Sequence, residues 1–303
     1  MEIDKEKCRI IGSYLKGLDI RDHVTRIHGK DLDGKLFFAL IFVGICHAIN
    51  YDFLSRALAR IQKEQPERFN PKYMERISNQ ELYNWLKGYP KKWRLEIETR
   101  ADFVRDICKK LNDKFRGSAL KLFKKTGFSI PEIYRELDIF KAFREDPLRK
   151  KTSCLIGEIY QNKLAELTGW ESFKPTIDYH ISRTILRNGL VRFPDKKVMN
   201  DLIEFCSANE KRATLVRSRC MEAVIEVARR AGKCVDDVRL LYWYVGRDCC
   251  NESNPSCERC DNKGCSLPDC LSRKKCILSE VCESARNENL RRIREPNFKT
   301  TFY

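Results

Sequence analysis

The tail of this 303-residue chain holds its densest group of residues that can do chemistry. Eight of the fifteen cysteines lie from position 249 onward, whereas the whole chain has only four histidines. Cys250, Cys257 and Cys260 follow a C-x6-C-x2-C spacing, and Cys276 and Cys282 add a C-x5-C pair. Spacing of this kind suits an iron–sulfur cluster, which takes four thiolate ligands. The tail therefore predicts a thiolate-bound metal site.

More than one ligand set is compatible with these cysteines. We expect four ligands of a [4Fe-4S] cluster among Cys250, Cys257, Cys260, Cys265, Cys276 and Cys282. A compact zinc site is the alternative for part of the segment, formed by Cys257, Cys260, Cys265 and Cys270. Zinc instead of the cluster, or in addition to it, stays open at this point. The seven cysteines before the tail are scattered, and we expect them to be small buried core residues.

A second chemical signal lies upstream, in the segment Ile177-Asp178-Tyr179-His180-Ile181-Ser182-Arg183. Pro175-Thr176 interrupts the preceding segment, which places Asp178 at or near the start of a helix. An aspartate there often only caps the helix. The same geometry also fixes a carboxylate that can stabilise an oxocarbenium-like sugar or activate a nucleophile at a glycosidic bond.

Charge and hydropathy limit the partners. The net charge of +16, from 59 Lys and Arg against 43 Asp and Glu, favours a polyanion such as nucleic acid. A charged surface typical of proteins from warm habitats is the alternative explanation. The apolar run from Leu36 to Ile49 is too short to span a bilayer, so we expect a buried helix and no membrane association. The charged N-terminus contains no secretory leader, which predicts a soluble, cytoplasmic protein with reduced thiols.

Helical periodicity recurs along the chain, with no sustained strand pattern. The fold class is therefore expected to be all-α and two-lobed, with a C-terminal cysteine-rich metal-cluster loop. We expect a helical core over residues 1–246, with lobes 1–95 and 96–246, and a cysteine-rich segment with a basic tail over 247–303. Residues 64–95 are interpreted as a looser basic connection. A single globule instead of two lobes is equally compatible.

The segment around Asp178, together with Leu186-Arg187-Asn188-Gly189, resembles the V-D-x-H-x-x-R…R-x-G segment of helix-hairpin-helix DNA glycosylases of the endonuclease III type. The cysteine spacing resembles the iron–sulfur loop of that superfamily. The resemblance implies base excision from duplex DNA, with Asp178 as the essential aspartate and Lys151 as a Schiff-base nucleophile with lyase activity. The glycine-containing hairpin of that family has no counterpart, because residues 145–152 lack both glycines.

The chain also resembles the queuosine salvage family of N-glycosylases. Asn50-Tyr51-Asp52-Phe53 is similar to the N-F-x-F of that family, and Ile177-Asp178-Tyr179-His180 is similar to its A-D-Y-R. The segment 210–220 is similar to its D-R-Q-x-V-E-I-R helix. This resemblance spans more of the chain and implies cleavage of an N-glycosidic bond in a nucleoside or nucleotide. Asp178 is again the central residue.

Roles for further residues follow from these resemblances. Aromatic side chains expected to stack on a flipped base are Tyr179, Trp170 and Tyr160. Basic residues expected to contact phosphates are Lys150, Arg183, Arg187, Lys211, Arg212, Arg217 and Arg219. Three functions stay open: a DNA glycosylase for a damaged or modified base, a queuosine-type salvage N-glycosylase, and a non-catalytic nucleic-acid-binding protein.

Overall fold

The computed structural model describes residues 1–18, 26–257, 260 and 275–301. Helices dominate this part of the chain, which confirms the all-α class. The only strand pairing between named strands in the described residues joins β1 (Glu2–Ile3) to β2 (Val191–Arg192), antiparallel. None of the described helices is long and apolar enough to cross a membrane.

The helices in chain order are α1 Lys5–Leu15, α2 Leu32–Gly44, α3 Tyr51–Glu64, α4 Pro71–Met74, α5 Asn79–Leu86, α6 Ile97–Phe115, α7 Ala119–Lys125, α8 Ile130–Leu137, α9 Lys141–Arg144, α10 Lys150–Gln161, α11 Tyr179–Arg187, α12 Lys196–Ile203, α13 Glu210–Ala231, α14 Val235–Tyr244 and α15 Glu288–Arg291. A π-helical turn, Val245–Cys249, continues α14 directly. Short 3₁₀ turns lie at Lys92–Arg94, Trp170–Ser172 and Glu283–Ala285.

The chain divides into two compact units whose boundaries differ from the expected lobes. Unit 1 contains Met1–His23 and Pro175–Thr300, and unit 2 contains Val24–Lys174 and Thr301–Tyr303. The N-terminal helix therefore packs with the C-terminal half, and residue 95 lies inside unit 2. The described part of the cysteine-rich segment belongs to unit 1, with α11 and α13, instead of forming a domain of its own.

Unit 1 is built on the long helix α13, against which α1 packs closely. The close approach depends on Gly12, because a Cβ there would lie 2.4 Å from the Cβ of Arg230 and 3.0 Å from the Val227 carbonyl. Helix α11 packs on α13, on α14 and on the π-helical turn. The N-terminus of α11, where Asp178 lies, is thus held by three elements.

Unit 2 is built around α2, whose residues from Leu36 to Gly44 are all buried. This confirms that the long apolar run forms a core helix. Helical periodicity in the sequence predicts one continuous helix from Gly34 to Lys63. The structure interrupts it, because the chain turns between α2 and α3 with Ala48 in the left-handed region at φ +50°. Residues 64–95 are also more ordered than expected, since they form α4 and α5 and bury Trp85 and Leu86.

Candidate functional site

Asp178 caps α11, as the sequence predicts. Its Oδ1 accepts a hydrogen bond of 2.9 Å from the backbone N–H of Ile181, which fixes the carboxylate at the start of the helix. The residue is only 7% exposed. A buried carboxylate held by its own helix needs little reorganisation before it acts on a developing positive charge.

The N-terminus of α11 lies against the π-helical turn at Gly246. Nδ1 of His180 is 3.2 Å from the Gly246 carbonyl oxygen, and Nη2 of Arg183 donates to the same oxygen at 3.1 Å. Burial lowers the pKa of His180, and the neighbouring Arg183 lowers it further, while Asp178 opposes the change. His180 is thus a poor candidate for a cation beside Asp178 near neutral pH. The turn that it contacts is π-helical, and such turns are frequent at functional sites.

Gly246 is required by this contact, which gives a testable prediction. A Cβ at this position would lie 2.5 Å from the His180 carbonyl oxygen, so one element has to move. We expect Gly246→Ala to reduce the free energy of unfolding by about 1–3 kcal/mol. Chemical denaturation measures this change. Gly17→Ala in the same unit is the control, because a Cβ there meets nothing within 4 Å. Equal stability of the two variants would contradict the tight contact.

Three basic residues expected to contact phosphates lie in the interior of unit 1 instead. Arg183, Arg187 and Arg217 are at most 2% exposed. Arg183 pairs with Glu295 at 2.8 Å and donates to the Cys250 carbonyl oxygen at 2.8 Å. A guanidinium has five donors and is often used to satisfy backbone carbonyls inside a protein. These placements argue against phosphate contacts by the three residues.

Of the four remaining predicted phosphate contacts, Lys150 is buried in unit 2, which argues against that role, and the other three differ in exposure. Lys211 is exposed. Arg212 is half-buried and pairs with Asp201 at 2.7 Å, and Arg219 pairs with Glu222 at 2.7 Å. Among these three, Lys211 has the exposure that the predicted phosphate contact requires.

The C-terminal end of α11 contacts the cysteine-rich segment. Nη1 of Arg187 lies 3.5 Å from Sγ of Cys250, and Nδ2 of Asn188 lies 3.3 Å from Sγ of Cys282. Arg187 also donates to the backbone carbonyls of Asn251 and Glu252, at 2.6 and 2.9 Å. The helix that carries Asp178 at its start therefore holds the cysteine-rich segment with buried donors at its end.

Four of the six predicted metal ligands meet around one small cavity. Its lining includes Cys250, Cys257, Cys276 and Cys282, with Cys249 beside them. All of them are buried. Burial raises the pKa of the Cys250 and Cys282 thiols and raises that of Cys257 to about 12.

The other predicted metal ligands are not at this cavity or cannot be placed. Cys260 is half-exposed and is not part of the lining, and Cys265 and Cys270 lie outside the described residues. Among the residues described, no three His, Cys, Asp or Glu side chains are grouped so that they could hold a metal ion. The four thiols therefore share one cavity.

Lys150 and Lys151 begin α10, in unit 2, and both are buried. Lys151 is 2% exposed, and its Nζ has no hydrogen-bond partner among the described residues. The amine lies 4.4 Å from the centre of the Phe103 ring. Burial lowers the pKa of Lys151 to about 8, with Lys150 contributing and Cys46 opposing. A buried lysine of this kind is what a nucleophilic amine requires.

The predicted aromatic residues do not form one group. Tyr160 and Trp170 belong to unit 2, where their ring centres are 4.8 Å apart at an angle of 72°. Tyr179 belongs to unit 1, with its ring 4.0 Å from that of His180. All three are half-buried. The edge-to-face contact of Tyr160 with Trp170 is typical of ordinary packing as well as of a base-binding wall.

Two side-chain contacts were not expected from the sequence. One is the stack of Arg247 over Trp243 and Tyr244, with 4.6 and 5.0 Å to the ring centres. The other is the contact of Cys46 with Lys150 across unit 2, at 3.7 Å. The Trp-Tyr…Arg spacing at the end of α14 is a local signal for the first group. No local signal exists for the second, whose members are 104 positions apart.

Comparisons with known proteins identify the fold and the family of this chain. Among solved structures, the chain is similar to an endonuclease III trapped as a covalent DNA intermediate, an estranged-adenine complex. The TM-score is 0.53 at 14% identity, over 86% of this chain and 93% of that chain, so the two share a fold. The comparison with curated proteins finds no match.

A family model described as queuosine salvage protein matches residues 42–200. The match covers more than half of the 303 residues and includes both Lys151 and Asp178, whereas the cysteine-rich segment lies beyond it. Both resemblances noted in the sequence are thus confirmed, one at the level of fold and the other at the level of family. The chain belongs to the queuosine salvage protein family.

Proposed function

We propose that this protein is an N-glycosylase that releases a damaged or modified base flipped out of DNA. The observation that carries the proposal is the Lys151 amine, which is buried without a hydrogen-bond partner in the described residues. Leaving such a group unsatisfied costs about 1–3 kcal/mol. Such an unfavourable contribution to the free energy of folding is found most often where the group takes part in a reaction.

Asp178 is assigned the carboxylate role. As the N–glycosidic bond lengthens, positive charge develops at the sugar C1′, and a fixed carboxylate stabilises it. Because Ile181 N–H and the helix N-terminus orient Asp178, its oxygens are preorganised for this interaction.

Lys151 is assigned the nucleophile role. Its neutral amine attacks C1′, the N-glycosidic bond breaks, and the bonding electrons leave with the base, which takes up a proton. The C1′–O4′ bond then breaks and O4′ takes up a proton, so that loss of the two amine protons to the base and to O4′ gives an imine between Nζ and C1′. Lys151 belongs to unit 2 and Asp178 to unit 1. The nucleophile role depends on the buried surroundings of Lys151, and the carboxylate role depends on the helix cap at Asp178.

A nucleoside or nucleotide is the second candidate substrate, favoured by the family match over residues 42–200. The net charge of +16 favours DNA, because phosphate neutralisation supplies affinity that a free nucleoside lacks. The endonuclease III complex is a DNA-bound relative in fold, which supports the same choice.

The test is base release measured by mass spectrometry. The full chain is incubated with duplexes that contain single modified bases, and in parallel with the corresponding free nucleosides and nucleotides, including queuosine. We expect release from duplex DNA, with a duplex affinity that falls steeply as salt rises. Release from free nucleosides alone would replace the first candidate with the second. Salt-sensitive binding of duplex DNA without any base release would instead indicate a non-catalytic nucleic-acid-binding protein.

We also propose that the tail holds a [4Fe-4S] cluster, with Cys250, Cys257, Cys276 and Cys282 as ligands. The support is the single cavity that these four thiols line, together with N–H donors from Arg187 and Asn188 to two of the sulfurs. A zinc ion held by the same four thiolates is the alternative occupant. When bound, the cluster would cross-link the cysteine-rich segment to the C-terminal end of α11.

Metal analysis of anaerobically purified protein checks this proposal. We expect about four irons per chain and a broad visible absorbance, both lost in Cys276→Ala. Cys260→Ala is the matched control, since Cys260 does not line the cavity. Zinc without iron, or loss of iron in Cys260→Ala with retention in Cys276→Ala, would contradict the assignment.

A further inference from the structure

A tryptophan that the proposed reaction does not use is exposed on unit 2, in the 3₁₀ turn Lys92–Arg94. Trp93 is 76% exposed, whereas Leu215, the next most exposed large hydrophobic residue in the described part of the chain, is 43% exposed. An indole left in water forgoes a large hydrophobic contribution to folding. Single exposed apolar side chains are common on protein surfaces, so the surroundings of Trp93 have to show whether it has a function.

The backbone that carries Trp93 is fixed from inside the unit. The guanidinium of Arg100, which is completely buried, donates to the carbonyl oxygen of Arg94 at 3.3 Å and to that of Leu95. Leu95 and Tyr89, on either side of the turn, are also buried. The fold thus holds both flanks of the turn and leaves the indole itself in solvent.

The surface around the indole is cationic. Lys87, Lys91, Lys92 and Arg94 are all exposed. The Arg94 guanidinium lies 4.7 Å from the centre of the Trp93 ring, a cation–π contact that orients the indole. Because a guanidinium covers only one face of a planar ring, the high exposure of Trp93 leaves the other face open to a partner.

Acidic residues do not neutralise this surface. Residues 87–98 contain these four cations and two carboxylates, Glu96 and Glu98. Glu96 faces the interior, with Oε2 3.4 Å from Nε2 of His47. None of the four cations forms an ion pair with an acidic residue in the described ranges of the chain. The partner that fits this surface is therefore an anion.

An unpaired nucleic-acid base with its flanking phosphates fits both features of the surface. Any base can stack on an exposed aromatic ring, and lysines beside the ring neutralise the phosphates. Duplex bases are covered by their neighbours in the stack, so the base has to be unpaired. A membrane also attracts tryptophan and lysine, but anchoring needs a wider apolar face, and the apolar neighbours Tyr89 and Leu95 are buried.

We propose that residues 87–94 form a contact site for single-stranded nucleic acid. One unpaired base stacks on the open face of Trp93, while Lys91 and Lys92 contact the neighbouring phosphates. The inference goes beyond base release, because this contact needs neither a modified base nor a reaction.

The test is binding of the full chain to a labelled oligothymidylate about 12 nucleotides long, and to the matching oligouridylate, by fluorescence anisotropy. We expect Trp93→Ala to weaken the affinity about 5- to 150-fold, which is a stacking contribution of about 1–3 kcal/mol expressed as a ratio. Trp93→Phe should keep most of the affinity, since a phenyl ring also stacks. It should lose the quenching of tryptophan fluorescence that binding causes in the parent.

Two matched controls separate stacking from charge. Tyr73→Ala removes another exposed aromatic residue of unit 2, whose hydroxyl donates to Glu81 at 2.7 Å, and should leave the affinity unchanged. Lys92→Ala should reduce the slope of log affinity against log salt by about 0.7, as expected for one phosphate contact on a single strand. Lys109→Ala should not change this slope, because Lys109 lies about 18 Å along α6 from Ile97.

Equal affinities of Trp93→Ala and Tyr73→Ala would overturn the proposal, as would a lack of binding to both oligonucleotides. Binding of the parent to phosphatidylserine vesicles that is lost in Trp93→Ala, without binding to either oligonucleotide, would assign the turn to a membrane surface instead. Binding to only one of the two oligonucleotides would support the proposal and identify DNA or RNA as the source of the strand. Because neither oligonucleotide contains a modified base, these outcomes do not depend on base release.

Discussion

Asp178→Asn is expected to reduce base release by about 10²- to 10⁴-fold while leaving the fold intact. Asparagine caps a helix about as well as aspartate, so the hydrogen bond to Ile181 N–H can persist. The negative charge that stabilises the sugar cation is lost. Single-turnover base release measures the first effect, and thermal unfolding measures the second.

Asp195→Asn is the matched control for this prediction. Asp195 also caps a helix of unit 1, α12, through a hydrogen bond of 2.7 Å from Lys197 N–H, but it is exposed. Its substitution should leave base release unchanged. Equal activity of the two variants would remove Asp178 from the reaction. A large loss of stability in Asp178→Asn alone would reduce the residue to a structural cap.

Lys151→Met is expected to abolish trapping of the enzyme on its substrate by borohydride, because no imine can form without the amine. The same variant should be more stable than the parent by about 1–3 kcal/mol, since a buried ammonium without a hydrogen-bond partner is replaced by an apolar side chain of similar length. Loss of trapping together with a gain in stability distinguishes a reactive lysine from a structural one. Trapping experiments and denaturant unfolding measure them.

Lys109→Met is the control for stability, because the Lys109 side chain is 71% exposed and pairs with Asp113 on the surface of the same unit. It should change the free energy of unfolding by less than about 0.5 kcal/mol.

Trapping by borohydride should also rise with pH through about 8, the value to which burial lowers the pKa of Lys151, because the neutral amine reacts. A rise only near the ordinary lysine pKa of 10.5 would contradict the buried environment.

Local sequence predicts much of the architecture because the forces concerned act over a few residues. The cap at Asp178 follows from the proline and threonine before it and the apolar period after it, and the structure places it as expected. The buried helix α2 follows from its uninterrupted apolar run. The break between α2 and α3 was missed, since a turn with Ala48 at positive φ contains no glycine to indicate it.

The placement of charges could not be predicted in the same way. Arg183 and Arg187 look like surface cations, but they lie inside unit 1 because carbonyls of the cysteine-rich segment, more than 60 positions away, accept their donors. Lys151 resembles a solvated helix start, but the packing of unit 2 buries it against Phe103. Whether a charge is exposed depends on which distant segments fold over it.

By itself, the sequence determined the helical class, the capped Asp178 and the density of thiols in the tail, since composition, periodicity and capping are local properties of the chain. Only the tertiary structure decided which four described cysteines meet, that Lys151 is buried, and that Cys46 contacts Lys150. The reason is physical: these features depend on pairs of residues that are brought together by long-range packing, and packing is a property of the folded chain as a whole.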